Sequence, residues 1–242
     1  MLDAIIALLT AAVAFVGSHF VLAAPRMRAN LVNRLGLQPF TMLYSAVAVV
    51  TIVVFVIAYR ESPYMELWPT VAALRLVPVF VMPFACLLIF CGLSQRNPTL
   101  VMQGFDTAAR NPAPGILKVT RHPVLWGIGL WALSHMIANG DIAALIFFGT
   151  FAFLALYGTT HIEAKRRTRE PEGFARFEEV TSSVPLVALL STRKRAFWKT
   201  AYGVDPLKTV WSEIGLWRVA AALALYVALI VAHPWITGVS VH

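Results

Sequence analysis

Residues 120–141, TRHPVLWGIGLWALSHMIANGD, decide how the chain is read. From Pro123 to Ala138 the run is apolar except for Ser134 and His135, and Arg121 and Asp141 bracket it. Such a run reads as a membrane-spanning helix. Asn139-Gly140-Asp141 then breaks it, and a second apolar run begins at once, so the two form a tight helical hairpin. His122 and His135 are thirteen residues apart, about 20 Å along a helix axis, so the span carries one histidine near each end.

Working outward, the whole chain fits this frame. Its 242 residues are 59% hydrophobic and 13% charged, with a mean hydropathy of +0.72. A soluble domain of this length needs more polar surface. Apolar runs at 2–24, 41–59, 74–93, 122–138, 141–161 and 214–237 are each near the ~20 residues that cross ~30 Å of hydrocarbon. The expected fold is all-α, a polytopic transmembrane helical bundle of about six spans. The fourth run is short from Pro123; starting it near Ile116 or thinning the bilayer would accommodate it. Pro78 and Pro83 should kink the third.

Charge placement orients the bundle. Of the 20 Lys and Arg, 18 fall in segments 25–40, 94–121 and 162–213 or at Arg218; these include Arg110. The alternate loops hold Arg60 and Arg75. Under the positive-inside rule both termini are periplasmic and segment 162–213 is cytoplasmic. The net charge of +8 therefore reflects topology, with membrane lipids as partners and no nucleic acid. Trp68, Trp235 and His233-Pro234 fit the outer interface; Trp198, Tyr202, Trp211 and Trp217 fit the inner one. TRKRAFWKTAYGVDPLKTVWSEI, residues 192–214, reads as an interfacial helix on the anionic inner leaflet or as a solvated basic loop. MLDAIIALLTAAVAFVG lacks a basic n-region and reads as a retained first span. Cys86 and Cys91, five apart in one span, imply no disulfide framework.

Ionisable groups in hydrocarbon are costly, so each is a site candidate. His19, His122 and His161 fall at one depth on the cytoplasmic side, with Arg121 and Glu163. His135 lies near the outer face. Gly127, Trp131, His135 and Asn139 recur every four residues and share a helix face. That stripe suits either a planar cofactor or ordinary interhelical packing with His135 bonded to a carbonyl. Neutral imidazole is a good ligand for haem iron. C-x-x-C-H is absent, so any haem is non-covalent.

Two stretches, TRHPVLWGIGLWALSHMIANGD and GFARFEEVTSSVPLVALLSTRKR (173–195), resemble the NnrU family of bacterial inner-membrane proteins. The resemblance runs from Ser18-His19 to about Arg195, which sets 1–195 as the family-like membrane domain and 196–242 as an interfacial segment and sixth span. It implies a link to denitrification and nitric-oxide metabolism. A relative of that family, 15-cis-ζ-carotene isomerase, implies haem b, a hydrophobic small molecule and redox or isomerase-like chemistry. The histidines matching by motif are His19, His122 and His135, the candidate haem ligands; His161, Arg121 and Trp131 complete the candidate cofactor-binding set. The isomerase has a cysteine where this chain has Ala132, so a cysteine-ligated state would need Cys86 or Cys91.

Arg121-His122-Pro123, Gly127, Glu163, Gly173-Phe174 and Val184-Pro185 also resemble the isoprenylcysteine-type membrane methyltransferases. That likeness implies S-adenosylmethionine at the cytoplasmic face, lined by Arg121, His122, Glu163 and Arg166. Trp126 replaces that group's usual tyrosine, and Glu163-Ala164 its Glu-Glu pair. A third reading is a non-enzymatic accessory or transport protein, with His135, Asn139 and Asp141 on a polar path.

Overall fold

A computed structural model describes residues 1–100, 103–105 and 111–239; Arg110 lies outside the described residues. The helices are α1 (Leu2–Ala23), α2 (Pro25–Leu35), α3 (Leu37–Arg60), α4 (Ala72–Ser94), α5 (Pro123–Asn139), α6 (Ile142–Arg169), α7 (Pro171–Val180), α8 (Val187–Leu190), α9 (Thr192–Tyr202), α10 (Pro206–Ile214) and α11 (Leu216–Thr237), with a 3₁₀ turn at Gly115–Lys118 before α5. Apolar media leave backbone groups no water to bond, and α-helices satisfy them within the segment. The protein is an all-α polytopic membrane bundle. Five helices, α1, α3, α4, α6 and α11, are long and apolar enough to cross a membrane.

The expected fourth span is α5, and it is short. Its 17 residues rise about 25 Å. It does not start near Ile116, because the Gly115–Lys118 turn and a non-helical link separate that segment from Pro123. Conversely α6 has 28 residues and rises about 42 Å. It runs eight residues past the expected end at 161, so Glu163, Arg166 and Arg167 ride on the spanning helix itself.

Neighbouring helices follow the order α3, α1, α6, α5, α4, α11, an arc with α5 and α6 in its middle. Lipid is as apolar as leucine, so close packing, not burial from water, holds such helices together. Small residues permit it. A Cβ on Gly127 would stand 2.8 Å from the Ala85 carbonyl oxygen and 2.5 Å from Ile89 Cγ1; one on Gly92 would stand 2.8 Å from Val124 Cγ2. Between α1, α3 and α6 the filling is aromatic: Phe15, Phe55, Phe147 and Phe151 interlock, and Tyr59 stacks on Phe147 at 4.3 Å.

The α5–α6 hairpin turns as expected at Asn139-Gly140-Asp141. Gly140 takes the left-handed conformation (φ +65°), and Asp141 caps α6 by accepting from the Ala144 N–H at 3.0 Å. The 61–71 connection straps it: the Leu67 N–H donates to Gly140 O at 2.8 Å, the Ile142 N–H to Met65 O at 3.0 Å, and Trp68 Nε1 to Ile137 O at 3.1 Å. This is the hairpin end; the opposite end gathers the basic loops.

Helix α11 is built into the bundle. Pro78 and Pro83 both lie inside a continuous α4. Pro83 has no N–H for the Val79 carbonyl four residues earlier. Tyr226 Oη of α11 donates to that carbonyl at 2.8 Å. Segment 192–214, read from the sequence as an interfacial helix or a solvated basic loop, is two helices, α9 and α10, joined through Gly203 at φ +67°. Trp211 and Trp217 are exposed, as an interface requires. Trp198 is not at the interface: it is buried against Ala113, Leu117, Phe177 and Val180, and Nε1 donates to Val180 O at 2.9 Å.

An ion pair with a fully buried ammonium and a half-buried carboxylate locks α10 to the 3₁₀ turn. The fully buried Lys118 ammonium pairs with Glu213, donates to Thr209 Oγ1 at 2.6 Å and lies 5.0 Å over the Trp198 ring. Burial pushes its pKa down against the pull of Glu213. Burial pushes Glu213 up, but the Lys118 ammonium and the Gly115 N–H hold it below the usual carboxylate range.

Three outcomes follow. Gly127→Val should destabilise the detergent-solubilised protein by about 1–3 kcal/mol through overpacking, read as a lower Tm in circular dichroism. Because Glu213 is held low, its contribution is full above about pH 4.3 and is lost as pH falls through its lower folded pKa. Tm should therefore drop on acidification through that window. Glu213→Gln, which strands the Lys118 charge, should cost about 3 kcal/mol at pH 7 and flatten the acid-side slope.

Candidate functional site

The polar groups of the spans gather at both ends of α5. At the basic end, Arg121 and His122 sit in the turn before α5, which Pro123 starts at its first position. Residues 181–186 clamp the turn: the Arg121 N–H donates to Ser182 O at 2.9 Å and the Leu186 N–H to Val119 O at 2.8 Å. Thr120 Oγ1 and Trp126 Nε1 both donate to Ser183 O, at 2.6 and 2.7 Å. Leu186 has φ +67°, the one positive value among the described non-glycine residues. On the other side Thr99 Oγ1 donates to Arg121 O at 3.0 Å.

This clamp aims two cationic-type side chains at α6. His122 Nε2 lies 3.0 Å from Glu163 Oε1. Arg121 Nη1 lies 3.4 Å from the same oxygen and 3.3 Å from Glu178 Oε1, which Arg167 Nη2 also meets at 3.1 Å. Phe174 lies beneath both guanidinium groups, at 5.8 Å from Arg121 and 5.1 Å from Arg167. The Lys194 ammonium donates to the Glu178 and Glu179 carbonyls at 2.6 and 3.1 Å; burial, then the Arg121 charge, lowers its pKa. His122 Nδ1 and Arg121 Nε are buried without a hydrogen-bond partner. Arg166 is committed elsewhere, holding Leu100 O at 2.8 Å and Gln103 O at 2.6 Å.

His19, His122 and His161 share this end but not one cluster. His161 and Glu163 are two apart on α6, about 200° around the helix. Glu163 meets His122, whereas His161 meets Phe20 of α1, ring to ring at 5.8 Å. The His19 ring lies between Phe15 and Tyr44, at 4.6 and 5.8 Å. Among the described residues no three His, Cys, Asp or Glu are placed to hold a metal ion.

At the hairpin end, His135 Nδ1 lies 2.8 Å from the Trp131 carbonyl. A carbonyl only accepts, so Nδ1 carries the proton and Nε2 keeps its lone pair. His19 shows the same arrangement toward Phe15 O at 2.8 Å. Around His135 stand Trp131 at 5.8 Å and Phe148 at 5.3 Å between ring centres. Of the stripe read from the sequence, Gly127 meets α4, Trp131 packs edge-on to Phe148 and Phe151, and Asn139 Nδ2 donates to the His135 carbonyl at 2.7 Å.

Sequence reasoning missed one neighbour of His135. His233, assigned to the outer interface, has its ring centre 6.5 Å away with the planes at 30°. Nothing in the local sequence links them, since they are 98 positions apart; only the packing of α11 does. Cys86 and Cys91 are both buried in α4, Cys91 in a cluster with Leu88, Ile116, Val210 and Ile214 near the basic end.

The chain is 29% identical over 127 residues to the chloroplastic 15-cis-zeta-carotene isomerase of Arabidopsis thaliana, covering 52% of this chain and 32% of that protein. The chain thus matches about a third of that relative's length. No solved structure matches it. The NnrU protein family matches residues 7–241, through α11 and beyond the Arg195 limit of the sequence resemblance, and the chain belongs to that family.

Proposed function

We propose that this protein is a haem b-binding membrane protein of the bacterial inner membrane, acting in nitrogen-oxide metabolism with redox or isomerase-like chemistry on a hydrophobic small molecule. In this reading the basic end faces the cytoplasm and both termini face the periplasm. The observation that carries it is His135: an imidazole on a membrane helix, with Nδ1 committed to the Trp131 carbonyl and Nε2 left free beside Trp131 and Phe148. A carbonyl-oriented imidazole in an apolar, aromatic shell is a donor suited to haem iron. Haem, when bound, supplies an iron that changes oxidation state and accepts ligands according to the surrounding pocket. His135 would hold it, Trp131 and Phe148 would exclude water, and the Trp131 carbonyl would keep the ring in one tautomer.

His19 has an equally free Nε2 but lies at the other end of the bundle. His122 Nε2 is occupied by Glu163, which favours a structural or separate binding role. Detergent-purified protein from haem-replete cells should therefore show a Soret band. It should weaken severely in His135→Ala and persist in His19→Ala and His122→Ala. A wild-type protein without that band would overturn the reading.

A second reading, S-adenosylmethionine at the basic end, is favoured by the buried, unpartnered Arg121 Nε and His122 Nδ1. A ligand bound there at a hundred times its Kd would stabilise the fold by about 2.7 kcal/mol. Millimolar S-adenosylhomocysteine should then raise Tm in the wild type and not in Glu163→Gln; an unchanged wild-type Tm rejects this reading.

A further inference from the structure

We propose that the seam between α1 and α6 binds one anionic phospholipid, its chain in an apolar groove and its phosphate head on the cations where both helices reach the basic end. The site is separate from His135 and from the Arg121 network. Three features of the structure converge on it.

The first is the groove. Helices α1 and α6 run parallel, with Phe20 against Tyr157 and His161 and Ala23 against Lys165. Between them an open groove of about 560 Å³ is lined by Leu9, Val13 and Gly17 of α1 and by Leu145, Gly149 and Phe153 of α6. Two glycines give it depth: a Cβ on Gly17 would meet nothing within 4 Å, and one on Gly149 only Met136 Sδ at 3.8 Å. An apolar groove does not hold water, so at this depth a hydrocarbon chain fills it.

Charge is the second. Gly149, Phe153, Tyr157, His161 and Lys165 recur every four residues along α6, so one row leads from the groove to the basic end. There the Lys165 ammonium donates to Ala23 O at 2.7 Å. Arg28 of α2 and Arg169 at the end of α6 stand close enough for their charges to bear on it. Among the described residues none of these three cations is in an ion pair. His161 Nε2, between the groove and the cations, is buried without a hydrogen-bond partner. Converging cations without a counter-ion, at the end of two spans, suit a lipid phosphate.

The third is length. From Leu9 to Ala23 helix α1 rises about 21 Å, and one leaflet, chain plus headgroup, is about 20–22 Å deep. A phospholipid of that leaflet therefore lays its chain beside residues 9–17 and brings its head to Ala23. The same cations speak against a second copy of the chain in the groove. A two-fold axis along the membrane normal would bring Lys165, Arg28 and Arg169 of both copies together, and like charges repel.

The test is native mass spectrometry of delipidated, detergent-purified protein titrated with dioleoyl phosphatidylglycerol or dioleoyl phosphatidylcholine, which share chains and differ in charge. Wild type should retain one phosphatidylglycerol per chain and prefer it to phosphatidylcholine. Each basic residue near an anionic headgroup contributes about fivefold, so Arg28→Gln combined with Arg169→Gln should cut that preference about twenty-five-fold. Gly17→Leu, whose Cβ strikes no neighbour, should keep its circular dichroism spectrum and lose retention of both lipids. Equal retention of the two lipids by wild type would overturn the proposal, as would unchanged retention in Gly17→Leu. A wild-type dimer in light scattering that Gly17→Leu converts to monomer would give the groove to a second copy and overturn it as well. Glycerol 3-phosphate, which lacks chains, should bind undetectably; binding as tight as the lipid's would remove any role for the groove.

Discussion

The close approach of α4 and α5 governs everything else in the bundle. In hydrocarbon no hydrophobic force drives helices together, so their backbones must come near enough for dispersion to act. Gly92 and Gly127 allow this: a side chain at either position would run into the facing helix. With α5 pinned to α4, the turn at 120–122 is held against the 181–186 clamp, and the far end of α5 is held at the Gly140 hairpin. Both polar ends inherit their position from two missing side chains.

The two ends solve the problem of polar groups in an apolar medium differently. At the basic end the solution is mutual: Arg121, His122, Glu163, Glu178 and Arg167 share one chain of contacts, and the long α6 carries Glu163 and Arg167 into it. At the hairpin end it is local. His135 and His233 each return Nδ1 to a backbone carbonyl, which leaves one nitrogen per ring unspent. The charged network still leaves Arg121 Nε and His122 Nδ1 without a partner, and the hairpin end leaves Nε2 of His135 free in an aromatic shell.

Helix α11 shows why a helix that looks peripheral in sequence is not so in structure. Its Tyr226 supplies the hydrogen bond that Pro83 removes from Val79, the preceding α10 brings Glu213 to Lys118, and its end sets His233 over His135. The family match through residue 241 covers the whole helix.

Local order of apolar and polar residues was enough to determine the all-α membrane class, the six apolar runs, the hairpin at Asn139-Gly140-Asp141, and the histidines at both ends of α5. These depend on composition and on a rise of about 1.5 Å per residue, which any reader of the chain possesses. The bounds of α6 were not legible, because a helix passes from lipid to water without a change in backbone signal. Nor was the fate of Trp198, since an aromatic among basic residues reads alike at an interface and in a buried cluster. Which groups meet was decided by tertiary structure alone: Glu163 with His122 but His161 with Phe20, and His135 with His233 across 98 positions. Helical periodicity sets the angle at which a side chain leaves its own axis; only the packing of one axis on another sets what it finds there.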